Sequence, residues 1–251
     1  MMRITETVKQ LIIINVLFFI GSLIVGDAAI NLLALHFPEN PDFKVWQIFT
    51  YMFMHSNRDF GHIIFNMLGL WMFGSMLEQM WGAKKFIFFY VSCAVGAAAL
   101  HVAINYYTYS TSLDTLISSG LRKDDILALL NSGQYSPGWD SLLGTGGAEE
   151  FAGSYISPML GASGAIYGLL MAFAFMFPNA ELMMLFIPIP IKAKYFVPGL
   201  LVFDLVMGVR GQALIGQGDG IAHFAHLGGA LVGFIMMWYW KKNQYNNTRW
   251  N

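Results

Sequence analysis

Long apolar runs, each bounded by short segments that carry the charges, constrain this chain more than any single motif. A helix needs about 20 mostly apolar residues to cross a lipid bilayer. Six segments approach that, near 11–33, 62–81, 86–106, 158–177, 195–210 and 222–240, the fifth being the shortest. The first follows Arg3 and Lys9 as a signal peptide would, but its apolar stretch is long for one and further spans follow it. Only 12% of the 251 residues are charged, about half the share in a soluble domain. The expectation is an all-α membrane protein, a bundle of six transmembrane helices forming one domain over 1–251. A polar insertion at about 107–156 lies between the third and fourth spans. With a net charge of −1, no basic surface points to nucleic acid. Cys93 is the only cysteine, so no internal disulfide forms, and in its apolar run it reads as a packing residue.

Lysine and arginine set the orientation. With the N-terminus inside, the inner segments hold Arg3, Lys9, Lys84, Lys85, Lys192, Lys194, Lys241, Lys242 and Arg249. The outer segments, although longer, hold only Lys44, Arg58, Arg122, Lys123 and Arg210. Both termini are therefore expected on the cytoplasmic side. The first outer segment, 34–61, is partly apolar and is expected to lie in the interface. The 107–156 segment is expected to hold one or two short helices, with a weak stripe of Leu121, Leu127 and Leu130. Pro188 and Pro190 argue against a continuous helix before the fifth span, and that stretch is expected to skim the inner face.

Ionisable and polar groups inside spans are costly and are suspected of function. His62 and Asn66 stand four residues apart on one face of the second span. Ser163 and Tyr167 do so at the start of the fourth, after Gly161, and the sixth opens with His223 and His226. In this orientation the second, fourth and sixth spans all run inward. His62, Asn66, Ser163 and His226 then share one depth, roughly 5–10 Å below the outer boundary at helical rise. Gly164 with Gly168, and Gly229 with Gly233, are G-x-x-x-G faces that let helices approach closely. A serine hydroxyl needs a base to become a nucleophile, which assigns that role to His226 beside Ser163. An oxyanion needs donors, for which His62, Asn66 and the Ser163 N–H are the candidates. Tyr167 is placed to stack on His226. No acid neighbours these groups in sequence, so a dyad is expected rather than a triad. Asp204 in the fifth span is read as a helix-bridging hydrogen bond, and His223 as a lid or structural one. Glu78, near the inner end of the second span, is read as a backbone cap or a partner for Lys84 or Lys85.

Taken together, Trp46 with Thr50, His62 with Asn66, Glu78, the G-A-S-G of 161–164 with Tyr167, and A-H-L-G-G-A-L-V-G at 225–233 resemble the rhomboid family of intramembrane serine proteases. The resemblance covers nearly the whole chain outside 107–156. It implies a six-helix bundle with a water-filled cavity open to the outside, Ser163 as nucleophile and His226 as base. It implies oxyanion roles for His62 and Asn66, support from Gly161 and Tyr167, and no metal or cofactor. The implied partners are transmembrane protein substrates and membrane lipid. It further implies a substrate gate beside the fifth span and a lid over 210–221. The short loops resemble bacterial members, implying a bacterial plasma membrane. Trp46–Gln47 departs from the family's frequent Trp-Arg, which implies altered anchoring of the first outer loop.

Other chemistries fit less well. G-Q-G-D at 216–219 spells the motif of aspartyl intramembrane proteases, but that chemistry needs two facing aspartates, and Asp204 belongs to another layer. H-E-x-x-H is absent, and His223 with His226 make a poor metal pair without a carboxylate. The alternative of a catalytically silent relative that binds and traffics membrane proteins predicts a lost Ser or His, yet both are present. A transporter would call for an inverted repeat or paired broken helices, and neither stands out.

Overall fold

The computed structural model describes residues 3–57, 59–184, 187–210 and 221–247, and they are mostly helical. Helix α1, Glu6–Val25, begins where the Glu78 carboxylate accepts hydrogen bonds from the Thr5 hydroxyl and from the Thr7 and Val8 N–H groups, the latter two at 3.2 and 3.0 Å. These are orphan donors of a first helical turn, so Glu78 caps a helix 70 residues away in the chain rather than pairing with Lys84 or Lys85. At Gly26 the backbone turns with φ +72°, and α2 follows over Asp27–Leu33. The first apolar run therefore forms two helices, the first starting earlier than its hydropathy suggests.

A four-residue helix, α3 (Gln47–Thr50), organises the 34–61 segment. Gln47 is fully buried. Its carbonyl oxygen accepts from the N–H of His36 and Lys44, and its amide donates to the carbonyls of Asn31 and Asp42. Trp46 Nε1 and Thr50 Oγ1 donate to the carbonyls of Leu32 and Leu33. Anchoring here thus rests on one neutral amide that serves donors and acceptors together.

Helix α4 (Phe60–Gly69) is capped by the Asp59 side chain at Gly61 N. It passes through a π-helical turn at Leu70–Gly74 into α5 (Ser75–Trp81). Helix α6 runs over Ala83–Ser118. Its 36 residues extend about 54 Å, well beyond a hydrocarbon core of ~30 Å. The segment read as an insertion is therefore in part a continuation of the third span. It continues through α7 (Lys123–Asn131), α8 (Asp140–Leu143) and α9 (Gly147–Ile156). These pack on the end of α6 around a second core of Tyr109, Leu116, Ile126, Leu130, Trp139 and Phe151. Ile126 and Leu130 are its buried stripe, with Leu121 and Leu127 at its margin.

The chain then returns in extended form, Met159 pairing with Leu35 at 2.8 and 2.9 Å, before α10 (Ser163–Met176). The stretch before the fifth span, expected to skim the inner face, forms an antiparallel hairpin of β1 (Glu181–Met184) and β2 (Ile187–Lys192) and not a continuous helix. In a two-stranded sheet both strands are edge strands, where proline is tolerated. Helices α11 (Ala193–Arg210, with Pro198 inside it) and α12 (Ile221–Asn247) complete the described chain.

Among the described residues, Glu6–Val25, Phe60–Trp81 and Ala83–Ser118 are long and apolar enough to cross a membrane. Large apolar side chains face outward on several helices, including Ile24, Ile64, Phe88 and Val209. In water such faces would be a liability; in lipid they are the expected surface. This is a membrane protein built of apolar helices.

Helices α6, α10 and α12 meet along a glycine seam. A methyl group at Gly229 would overlap the Gly164 carbonyl, and one at Gly233 would press on the backbone of Gly168. One at Gly168 would overlap Cys93, and one at Gly164 would overlap Ala97. The two G-x-x-x-G faces therefore meet each other, and buried Cys93 fills the remaining gap.

Candidate active site

The seam brings the start of α10 against the second turn of α12. There the Ser163 Oγ stands 2.9 Å from His226 Nε2. Ser163 is the first residue of α10, at a helix N-terminus where backbone N–H groups lack intrahelical acceptors. Tyr167, one turn along, lies flat on the imidazole of His226, with centroids 4.1 Å apart and planes 10° apart.

Gly161 adopts φ +119°, a conformation that disfavours any side chain. A Cβ there would stand 2.8 Å from His62 Nε2 and 3.7 Å from Ser163 Oγ. Glycine thus keeps open a space flanked by His62 on one side and the serine hydroxyl on the other. His62 Nδ1 accepts from the Ser56 N–H at 3.4 Å. That leaves Nε2 protonated and turned toward the gap. Asn66, buried one turn further along α4, donates from its amide nitrogen to the His62 carbonyl at 2.7 Å, while its Oδ1 has no hydrogen-bond partner among the described residues. The structure therefore gathers Gly161, His62 and Ser163 at one gap, with Asn66 behind His62.

The expectation that no acid attends the histidine needs correction. Asp204, buried in α11, directs one carboxylate oxygen at both histidines of α12: Oδ1 is 3.2 Å from His226 Nδ1 and 2.5 Å from His223 Nδ1. The acid is remote in sequence, 22 residues before His226, which hides it from motif reading. It bridges α11 and α12, and His223 makes a hydrogen bond within the bundle. The same contact removes the premise that His223 and His226 lack a carboxylate. Among the described residues, the ligand atoms of Asp204, His223 and His226 form a group within 4.8 Å that could hold a metal ion. In this geometry both Nδ1 atoms are engaged with the carboxylate. Residues 211–220 of the segment expected to act as a lid, with Asp219 of the G-Q-G-D motif, lie outside the described residues.

A family model described as the Rhomboid domain matches residues 42–243. The chain is 27% identical over 187 residues to "Rhomboid protein 1, mitochondrial" of Saccharomyces cerevisiae, covering 74% of this chain and 40% of that protein. It is 24% identical over 222 residues to "RHOMBOID-like protein 12, mitochondrial" of Arabidopsis thaliana, covering 77% and 53%. Over a shorter stretch of 74 residues it is 36% identical to "Rhomboid protease GlpG" of Salmonella newport, covering 29% and 26%. The match thus spans about half, or less, of each relative's length. Two of these relatives are named as mitochondrial, so the comparisons do not favour the bacterial plasma membrane that loop lengths suggest.

Proposed function

The chain belongs to the rhomboid family, and from that membership we propose that it is an intramembrane serine endopeptidase cutting the spanning segments of other membrane proteins. The observation that carries this is the 2.9 Å contact between Ser163 Oγ and His226 Nε2, made by residues 63 apart on two helices. In this reading Ser163 Oγ attacks the scissile carbonyl carbon while its proton passes to His226 Nε2. The tetrahedral intermediate places its oxyanion in the gap kept by Gly161, within reach of His62 Nε2–H and the N–H groups opening α10. Asn66 holds the α4 face that carries His62 and supplies a further polar group. Collapse breaks the C–N bond as His226 returns the proton to the leaving amine. Water, deprotonated by His226, then hydrolyses the acyl-enzyme.

In this reading the chain crosses the membrane six times, α10, α11 and α12 joining the three segments long and apolar enough to span it, with both termini on one side. Lipid surrounds the outward apolar faces, and the partners are transmembrane substrates whose helices unwind near the site. An intact helix hides its carbonyls in hydrogen bonds, so substrate segments with weak helix propensity are favoured.

The test is cleavage of a single-span model substrate by purified wild type, Ser163→Ala and His226→Ala in liposomes. Loss of cleavage in both variants, with unchanged thermal unfolding, supports the reading. Undiminished cleavage by Ser163→Ala refutes it. An inactive wild type that still binds the substrate would favour a binding or trafficking role.

A further inference from the structure

We propose that Asp204 is a positioning residue for the reaction, fixing the tautomer and ring orientation of His226 from the neighbouring helix. The inference rests on the reading of Ser163 and His226 as nucleophile and base. A neutral imidazole carries one N–H. For His226 Nε2 to accept the Ser163 proton it must present a lone pair, so the N–H must be on Nδ1. Nδ1 faces Asp204 Oδ1 at 3.2 Å, and a carboxylate only accepts. The opposite tautomer would set two lone pairs against each other. When the serine proton arrives, the imidazolium forms beside an ionised, buried carboxylate, where charge is poorly screened by water. Asp204 keeps its charge throughout and takes up no proton.

Two further side chains hold this arrangement. His223, one turn before His226 on α12, donates from Nδ1 to the same oxygen at 2.5 Å, a second tie on that carboxylate oxygen. Tyr167 covers one face of the His226 ring, so the imidazole cannot swing away from the line between Ser163 and Asp204. A simple tie between α11 and α12 would require a hydrogen bond to either histidine, but not the alignment of Ser163 Oγ, both ring nitrogens and the carboxylate in one chain of contacts.

Three readouts separate the two roles, using the full chain in liposomes. Asp204→Asn, which preserves size, is expected to lower kcat ~10²- to 10⁴-fold with KM little changed. It is also expected to slow fluorophosphonate labelling of Ser163 in parallel, because that small probe does not need a substrate helix to enter past α11. Asp204→Glu is expected to recover part of the loss. A tie between helices would instead alter thermal unfolding and KM, leaving the labelling rate of the folded protein intact, and that outcome overturns the proposal. If Asp204→Asn fails to fold, 15N NMR of histidine-labelled wild type decides: His226 protonated on Nδ1 at neutral pH is expected, and an Nε2–H tautomer overturns it. Activity retained by Ser163→Ala would sink the underlying protease reading; full kcat in Asp204→Asn beside an inactive Ser163→Ala would sink only the role of Asp204.

Discussion

The ring of Tyr167 lies parallel to that of His226, 4.1 Å away, and both residues come from the helices joined by the glycine seam. Stacking of this kind is worth ~0.5–1.5 kcal/mol, which corresponds to up to about tenfold in rate. Tyr167→Ala is expected to lower kcat by about that factor, while Tyr167→Phe, which keeps the ring, is expected to cleave nearly as well as wild type. Steady-state cleavage of a single-span substrate by both variants checks this.

The seam itself admits no added atoms. Gly229→Ala forces a methyl onto the Gly164 carbonyl, and overpacking typically costs ~1–3 kcal/mol. A lowered unfolding temperature and reduced cleavage are expected, since the same contact sets the distance from Ser163 to His226. Gly21→Ala, where an added methyl meets nothing within 4 Å, is expected to leave both unchanged. Thermal unfolding in detergent distinguishes the two.

Gln47 alone bonds two N–H and two C=O groups, those of His36, Lys44, Asn31 and Asp42. Gln47→Ala leaves those groups to find new partners, at a cost of about 1–3 kcal/mol for the unsatisfied groups. The prediction is a lower unfolding temperature with kcat retained below it, because Gln47 does not touch Ser163, His226 or His62. A matched loss of kcat at low temperature would show that the loop shapes the site.

His55, fully buried in the loop before α4, has its imidazole held down to about 3 by burial, with His62 beside it adding in the same direction. The unfolded chain protonates this group near 6.5, so it takes up protons that the folded chain excludes. Stability is therefore expected to be fully present above pH 6.5 and to decline as pH falls toward 3, by up to ~1.4 kcal/mol per pH unit. Burial also lowers the protonation of His36, so it adds to the same slope. Unfolding temperature measured between pH 7 and 4 should fall less steeply in His55→Gln than in wild type; parallel curves would exclude His55 as a source.

Spacing along single helices made much of the site legible. His62 with Asn66 and Ser163 with Tyr167 are separated by one turn, and glycine pairs mark which helix faces can approach. Contacts between helices are another matter. Asp204 sits in an apolar run with no partner nearby in sequence, and only the packing of α11 on α12 shows which histidines it meets. Gln47 looks like the loss of an anchoring cation until its four backbone partners are seen. The hairpin at 181–192 was obscured by its prolines, which read as helix breakers although an edge strand tolerates them. The length of α6 was hidden because hydropathy falls after residue 106 while helix geometry continues to Ser118. Its last turns pack into the second core.

That continuity has a mechanical consequence. One helix carries, near its middle, Ala97 and Gly96 of the glycine seam and, near its end, Leu113 and Leu116 of the second core. No loop separates them. A load placed on the second core, whether by a bound protein or by an optical trap, is transmitted along a single stiff rod to the seam where Ser163 meets His226. In pulling experiments the second core should act as a handle on the bundle and not as a tethered bead.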